Sequence, residues 1–168
     1  MRIFSETQRF DQWWIKLIYV AMIGFLLFCA YNWYIANKPT GNVSAHDTTA
    51  QIAIFLSIIP VLFLMYSFNL KTRIDDIGIH YRFFPFQLND KTVRWEELQN
   101  CYVRKYSPIK EFGGWGYRGS FGKKRKALNV KGNKGIQLEF ASGKRLLIGT
   151  QKEAEAKQVI QRYFKHKS

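Results

Sequence analysis

Cysteine, histidine and acidic residues are all scarce in this chain, and each shortage removes a class of function. The 168 residues include two cysteines, Cys29 and Cys101, and three histidines. Two scattered thiols make neither a disulfide framework nor a metal site with close ligand spacing. They read as free thiols, with Cys101 in a reducing compartment. Beyond residue 70 the histidines are His80, placed mid-strand, and His166, near the end of the chain. The adjacent Glu96 and Glu97 would face opposite ways in a strand. No nucleophile, base and orienting group assemble from this inventory. The sequence therefore predicts a protein that is not an enzyme, with no cofactor, no metal and no catalytic residues.

Acids number 12 against 26 Lys+Arg, a net charge of +14, and the excess is unevenly spread. Residues 1–70 hold four cations (Arg2, Arg9, Lys16, Lys38) and three acids (Glu6, Asp11, Asp47); by subtraction, residues 71–168 hold 22 and nine. A nearly neutral apolar part is thus joined to a strongly basic polar part. The expected division is residues 1–70, an N-terminal segment with two transmembrane helices, and residues 71–168, a cytoplasmic domain.

Residues 15–36 carry one charge, Lys16 at the edge, and residues 50–70 carry none. A bilayer core about 30 Å thick needs roughly 20 apolar helical residues, so both stretches are long enough to span. Trp13, Trp14, Tyr31, Trp33, Tyr34 and Tyr66 sit at or near the ends of these runs, where amphipathic rings favour the headgroup level. Neither span has a central ionisable residue, which argues against an ion or proton path. The loop between the spans has one cation and one acid, whereas the basic domain lies on the other side. Cations are retained in the cytoplasm, so the expectation is an integral protein of a bacterial inner membrane with both termini cytoplasmic. His46 and Asp47 read as solvated loop residues.

Gly114-Trp115-Gly116-Tyr117-Arg118-Gly119 matches G-x-G-x-x-G. As a dinucleotide site the motif needs a strand before it, a helix opening from it and an acid about 20 residues later. The helix supplies the amides that hold the pyrophosphate. Here Ser120 to Lys126 follow and lead into a strand-like run, so no cradle forms. The companion motifs of kinases and of the Walker loop are missing as well. The glycines are expected to shape a turn or bulge.

After the second span, strands are expected at residues 71–74, 79–84, 91–94, 99–106, 135–140 and 144–148, and further strands are open at 116–118 and 127–131. Residues 95–98 read as a tight turn or a short helical turn, and 135–148 as the clearest hairpin. Thr150 and Glu153 have capping-box spacing. Ala156, Val159, Ile160, Tyr163 and Phe164 then form one apolar stripe of a closing helix. This pattern predicts a mainly β barrel or sandwich of about six or seven short antiparallel strands, with the helix plugging an open end or covering an edge.

Two spans followed by strands and one helix resemble the bacterial membrane proteins that carry a pleckstrin-homology-like domain. The resemblance rests on Asp75-Asp76-Ile77-Gly78-Ile79, on Val93-Arg94-Trp95-Glu96-Glu97-Leu98, and on the final hairpin and helix. It implies a seven-stranded, strongly bent sheet with a C-terminal helix. It implies no single activity, because that fold hosts lipid, peptide and protein binding.

The candidate contact residues are Arg104, Lys105, Trp115, Tyr117, Arg118, Phe121, Lys123, Lys124, Arg125 and Lys126. A juxtamembrane cation contributes on the order of 1 kcal/mol near an anionic bilayer, and the rings interleaved here could enter the interface. The expected function is an interaction module at the membrane surface that meets anionic lipid headgroups or a partner protein. A second possibility is an accessory subunit of a larger membrane complex or a homo-oligomer, docking through an edge strand or the Gly-rich loop. A nucleic-acid-binding basic domain ranks third, because no RNA-binding signature is present.

Overall fold

The computed structural model describes residues 3–119 and 124–164. The chain divides into two compact units, residues 11–67 and residues 1–10 with 68–168.

The first unit is helical. α1 (Trp13–Ala30) runs on into a π-helical turn (Tyr31–Ile35), and α2 (Thr48–Ser67) returns through Pro60 without interruption. Both stretches, 23 and 20 residues long, are long and apolar enough to cross a membrane, and very little of either is buried. Trp13, Trp14, Tyr31, Tyr34 and Tyr66 are exposed at the helix ends. Trp33 departs from the expected belt. It is buried, with its ring 6.1 Å from that of Phe55. In the connecting loop Asp47 is more than solvated. Its carboxylate accepts the Ala50 amide at 3.1 Å and so caps α2. The buried Gln51 amide pins the loop by donating to the carbonyls of Ser44 and Ala45.

The second unit has nine strands in two sheets among the described residues. The first sheet is β1 (Phe4–Arg9), β2 (Asn69–Ile74), β3 (Gly78–Phe84) and β4 (Lys91–Arg94), in that order and antiparallel throughout. A 3-10 turn (Trp95–Glu97) leads to β5 (Leu98–Lys105), and the short helix α3 (Pro108–Phe112) follows. Then come β6 (Gly116–Arg118), β7 (Arg125–Asn129), β8 (Lys134–Phe140) and β9 (Arg145–Gly149), and last α4 (Glu153–Phe164). The second sheet has the order β5-β8-β9-β7-β6, with β7 and β9 parallel.

Alternation along the strands explains the layers. Leu70, Ile74, Ile79, Phe83 and Val93 of the first sheet share one core with Cys101, Leu128, Ile136, Leu138, Leu146 and Ile148 of the second. The α4 stripe joins it through Ala156, Val159 and Ile160, and Trp95 stacks against Tyr163 and meets Phe164 at a tilt.

Four expectations are corrected. Among the described residues neither sheet closes into a barrel, and the strands number nine. The β7–β9 pair is parallel. Division at residue 70 left Phe4–Arg9 with the membrane part, whereas its pairing with β2 makes it a strand of the β unit. The capping box is not formed. The Thr150 hydroxyl does accept a backbone donor, the Lys152 amide at 3.1 Å, but it donates to Glu6 at 2.6 Å, and Glu153 pairs with Lys134 and Lys157 instead of reaching back.

Candidate functional site

The outer face of the second sheet carries a concave site. Period-two alternation puts Tyr102 and Arg104 of β5, Gln137 and Glu139 of β8, and Arg145 of β9 on the side away from the main core. A small satellite core of Tyr106, Ala127, Leu147 and Phe112 sits on the same face. α3 supplies Phe112. Pro108 starts that helix, and Gly113, at φ +73°, ends it by donating to the Ile109 carbonyl. A groove of about 300 Å³ results, lined by these β5, β8 and β9 residues together with Glu111, Phe112, Arg125 and Lys126.

The groove holds four cations and two carboxylates. Arg104 is braced. Its Nη2 and Nη1 donate to Glu111 at 2.7 and 3.3 Å, and its Nε donates to Gln137 at 3.0 Å. Those Arg104 hydrogen bonds hold the Glu111 carboxyl below the usual carboxylate range. Burial opposes the shift, and the Ser107 amide and the Arg125 charge reinforce it. Glu139 accepts from Asn100 and Tyr102 and pairs with Arg145 at 3.4 Å. Arg125 and Arg145 are direct partners across the parallel β7–β9 pair. Like charges placed opposite each other in a sheet repel. Such a departure from local consistency is where a binding role is to be sought.

The sequence candidates disperse. Arg104, Arg125 and Lys126 meet at the groove. Arg118 shares that face by register with Ala127, and its Nε donates to the Trp115 carbonyl at 3.0 Å. Lys105 alternates to the other side of β5. Lys124 is exposed, and its carbonyl accepts the Arg145 amide at 2.7 Å. Tyr117 belongs to the inner side, with its ring 5.4 Å from Phe86 and 6.2 Å from Phe83. Trp115 donates its indole N–H to the Gly132 carbonyl at 3.0 Å. Phe121 and Lys123 lie outside the described residues. The glycines of the G-x-G-x-x-G stretch adopt φ of +122°, +116° and +119°, a region open to glycine alone. The motif therefore has a backbone explanation, as a turn into β6.

Comparison with protein-family models and with curated proteins returns no match for the chain. Function has to be argued from the site.

Sequence reasoning missed Arg145, Glu111, Tyr102, Gln137 and Glu139. The alternation of polar residues in β8 and β9 carried a signal for three of them. It also missed a set on the first sheet. His80 Nδ1 lies 2.8 Å from Thr92 Oγ1, and its Nε2 lies 3.0 Å from an Asp75 carboxylate oxygen. The order resembles a nucleophile, base and orienting acid, but Asp75 is already committed. It accepts the Ile77 and Gly78 amides at 3.1 and 3.2 Å and pairs with Arg73 at 2.9 Å, and its carbonyl accepts the Trp95 indole N–H at 3.0 Å. The set is a brace on the β2–β3 turn. Among the described residues no group of three or more His, Cys, Asp or Glu gathers in a metal-binding arrangement.

Proposed function

We propose that this protein is a membrane-anchored interaction module, and that the groove on its β unit binds an anionic group at the surface of the membrane. Two apolar, largely exposed helices support the anchor. The β1–β2 pairing supports a hairpin topology, because Arg9 and Asn69 are register partners. A chain that leaves the sheet through α1 must therefore come back through α2 to the same side. The surplus of cations on the β unit supports a cytoplasmic assignment for that side. A pleckstrin-homology-like assignment is supported by two sheets sharing one core with a C-terminal helix. The parallel β7–β9 pair and the strand that precedes the spans are departures from it. The chemistry assigned is binding and not catalysis.

The observation that carries this reading is the Arg125–Arg145 juxtaposition beside Arg104 and Lys126. Guanidinium groups suit phosphate oxygens, which they engage bidentately. An occupant of opposite charge also relieves the repulsion within the pair. A phospholipid headgroup is the anion closest to hand for a tethered domain. The test is native mass spectrometry of the full chain in mild detergent, comparing wild type with R125E/R145E. Wild type should retain an anionic phospholipid that the double variant sheds. Equal retention removes the groove as the lipid site. A co-purifying protein lost only from the variant would identify an acidic partner segment as the occupant.

A further inference from the structure

The first sheet has one end that is special by connectivity alone. Arg9 ends β1, Asn69 begins β2 and Phe84 ends β3, and the three are successive register partners. α1 begins at Trp13 and α2 ends at Ser67. Both apolar helices are therefore tied to this end by tethers of a few residues, each reaching at most about 3.5 Å per residue.

The β3–β4 loop leaves from the same end, and its side chains are sorted in an unusual way. Gln87 is buried, while its neighbours Phe86 and Leu88 are 61% and 69% exposed. The sorting is built in. Gln87 donates its amide to the Phe83 carbonyl at 2.8 Å, its side-chain oxygen accepts the Phe83 amide at 3.2 Å, and Arg82 reaches the Leu88 carbonyl at 3.4 Å. The inner edge of Phe86 rests on an aromatic cluster, 5.7 Å from Phe68, 5.9 Å from Phe83 and 5.4 Å from Tyr117. Phe10 joins through Phe68 at 5.8 Å. A loop held in this way presents two large apolar side chains outward as a fixed feature. Exposed cations lie near the same end of the sheet. Arg9 is one, and Lys71, directly opposite Arg82, is another.

We propose that this loop is an interfacial foot. Phe86 and Leu88 enter the headgroup–acyl boundary of the bilayer that α1 and α2 cross, and Arg9 and Lys71 face anionic headgroups beside them. Apolar and aromatic side chains gain by entering that boundary, and neighbouring cations add attraction to anionic lipid. The foot sets the stance of the β unit on the membrane, which a tether alone leaves free to swivel. The inference rests on the reading that the two helices span.

The test uses the full chain with a fluorophore on one introduced cysteine at a time, L88C, I77C or L56C. The chain is reconstituted into vesicles of equal parts phosphatidylcholine and phosphatidylglycerol. The unsubstituted chain is the labelling blank, because Cys29 and Cys101 are buried. Ile77 is exposed in the β2–β3 turn, at the other end of the sheet, and Leu56 is exposed on α2. Nitroxide lipids should quench the label at Leu88 several-fold more than the label at Ile77, with Leu56 quenched most by a deep nitroxide. If Leu56 is quenched and Leu88 behaves like Ile77, the foot is overturned and the spanning helices stand. If Leu56 is not quenched, the membrane reading falls and takes the foot with it. If Leu88 is shielded from aqueous iodide yet untouched by lipid nitroxides, a protein covers the loop and the lipid assignment is wrong.

Discussion

Asp75 shows how one side chain can close a turn that sequence inspection reads only as Asp-Asp-Ile-Gly. Burial pushes its carboxyl upward, but the His80 hydrogen bond and the Gly78 and Ile77 amides outweigh that and leave it below its ordinary value. A carboxyl lowered by folding stabilises fully above the unfolded carboxylate range, near pH 4. That contribution is lost as the pH falls through the lowered folded value. D75N should therefore destabilise the β unit by about 1–3 kcal/mol at neutral pH, because buried donors lose a charged acceptor. The gap between its melting temperature and that of wild type should narrow in acid, which a melting series across pH would measure. Cys101 is the opposite case. Burial alone pushes its thiol up to about 12. The thiolate is the reactive species, so Cys101 should resist maleimide at pH 7–8 in the folded protein and react only when unfolded, as peptide mass spectrometry would report.

Among the elements, β1 is the one that local pattern reading could not find. The inward positions of Phe4–Arg9 hold Phe4, Glu6 and Gln8, all buried. A strand whose inner face is two-thirds polar has no apolar period to detect. Its Glu6 carboxylate and Gln8 side-chain amide N–H find distant partners, whereas the Gln8 side-chain oxygen is buried without one. Glu6 accepts from the Thr150 hydroxyl at 2.6 Å and the Gln151 amide at 2.8 Å, and Gln8 donates to the Gly149 carbonyl at 2.6 Å. E6A should cost about 1–3 kcal/mol through the two donors left behind. Deleting residues 3–9 should cost more than a domain of ordinary stability, about 5–15 kcal/mol, can bear, because it also opens the edge of β2 and removes Phe4 from the core. Loss of near-UV circular dichroism and rapid proteolysis of residues 69–164 would record it. α4, by contrast, was legible in its apolar stripe, because that stripe is periodic within its own turns. Its N-terminal chemistry was not, because the carboxylate that meets Thr150 comes from β1.

At the level of the whole molecule, the helical hairpin is an insertion in a β unit, placed between two strands that pair directly. Arg9 and Asn69 sit opposite each other, and antiparallel neighbours of that kind are about 5 Å apart. A short polar turn joining Phe10 to Phe68 should therefore replace the hairpin without disturbing the sheets. The expected product is water-soluble, melts cooperatively and keeps the groove, whereas a fragment starting at residue 71 should not fold because it lacks β1. Solubility and melting of the two, compared directly, would check this.

The charge asymmetry, the two apolar runs, most strands and the last helix were determined by the sequence itself. Each depends on composition or on a period contained within one element. The membership of β1, the parallel β7–β9 pair and the groove were decided only in the tertiary structure. Arg104, Arg125 and Arg145 lie in three separate strands, and they meet only because the sheet is ordered β5-β8-β9-β7. That order is chosen by which apolar faces pack together, and no local period encodes it.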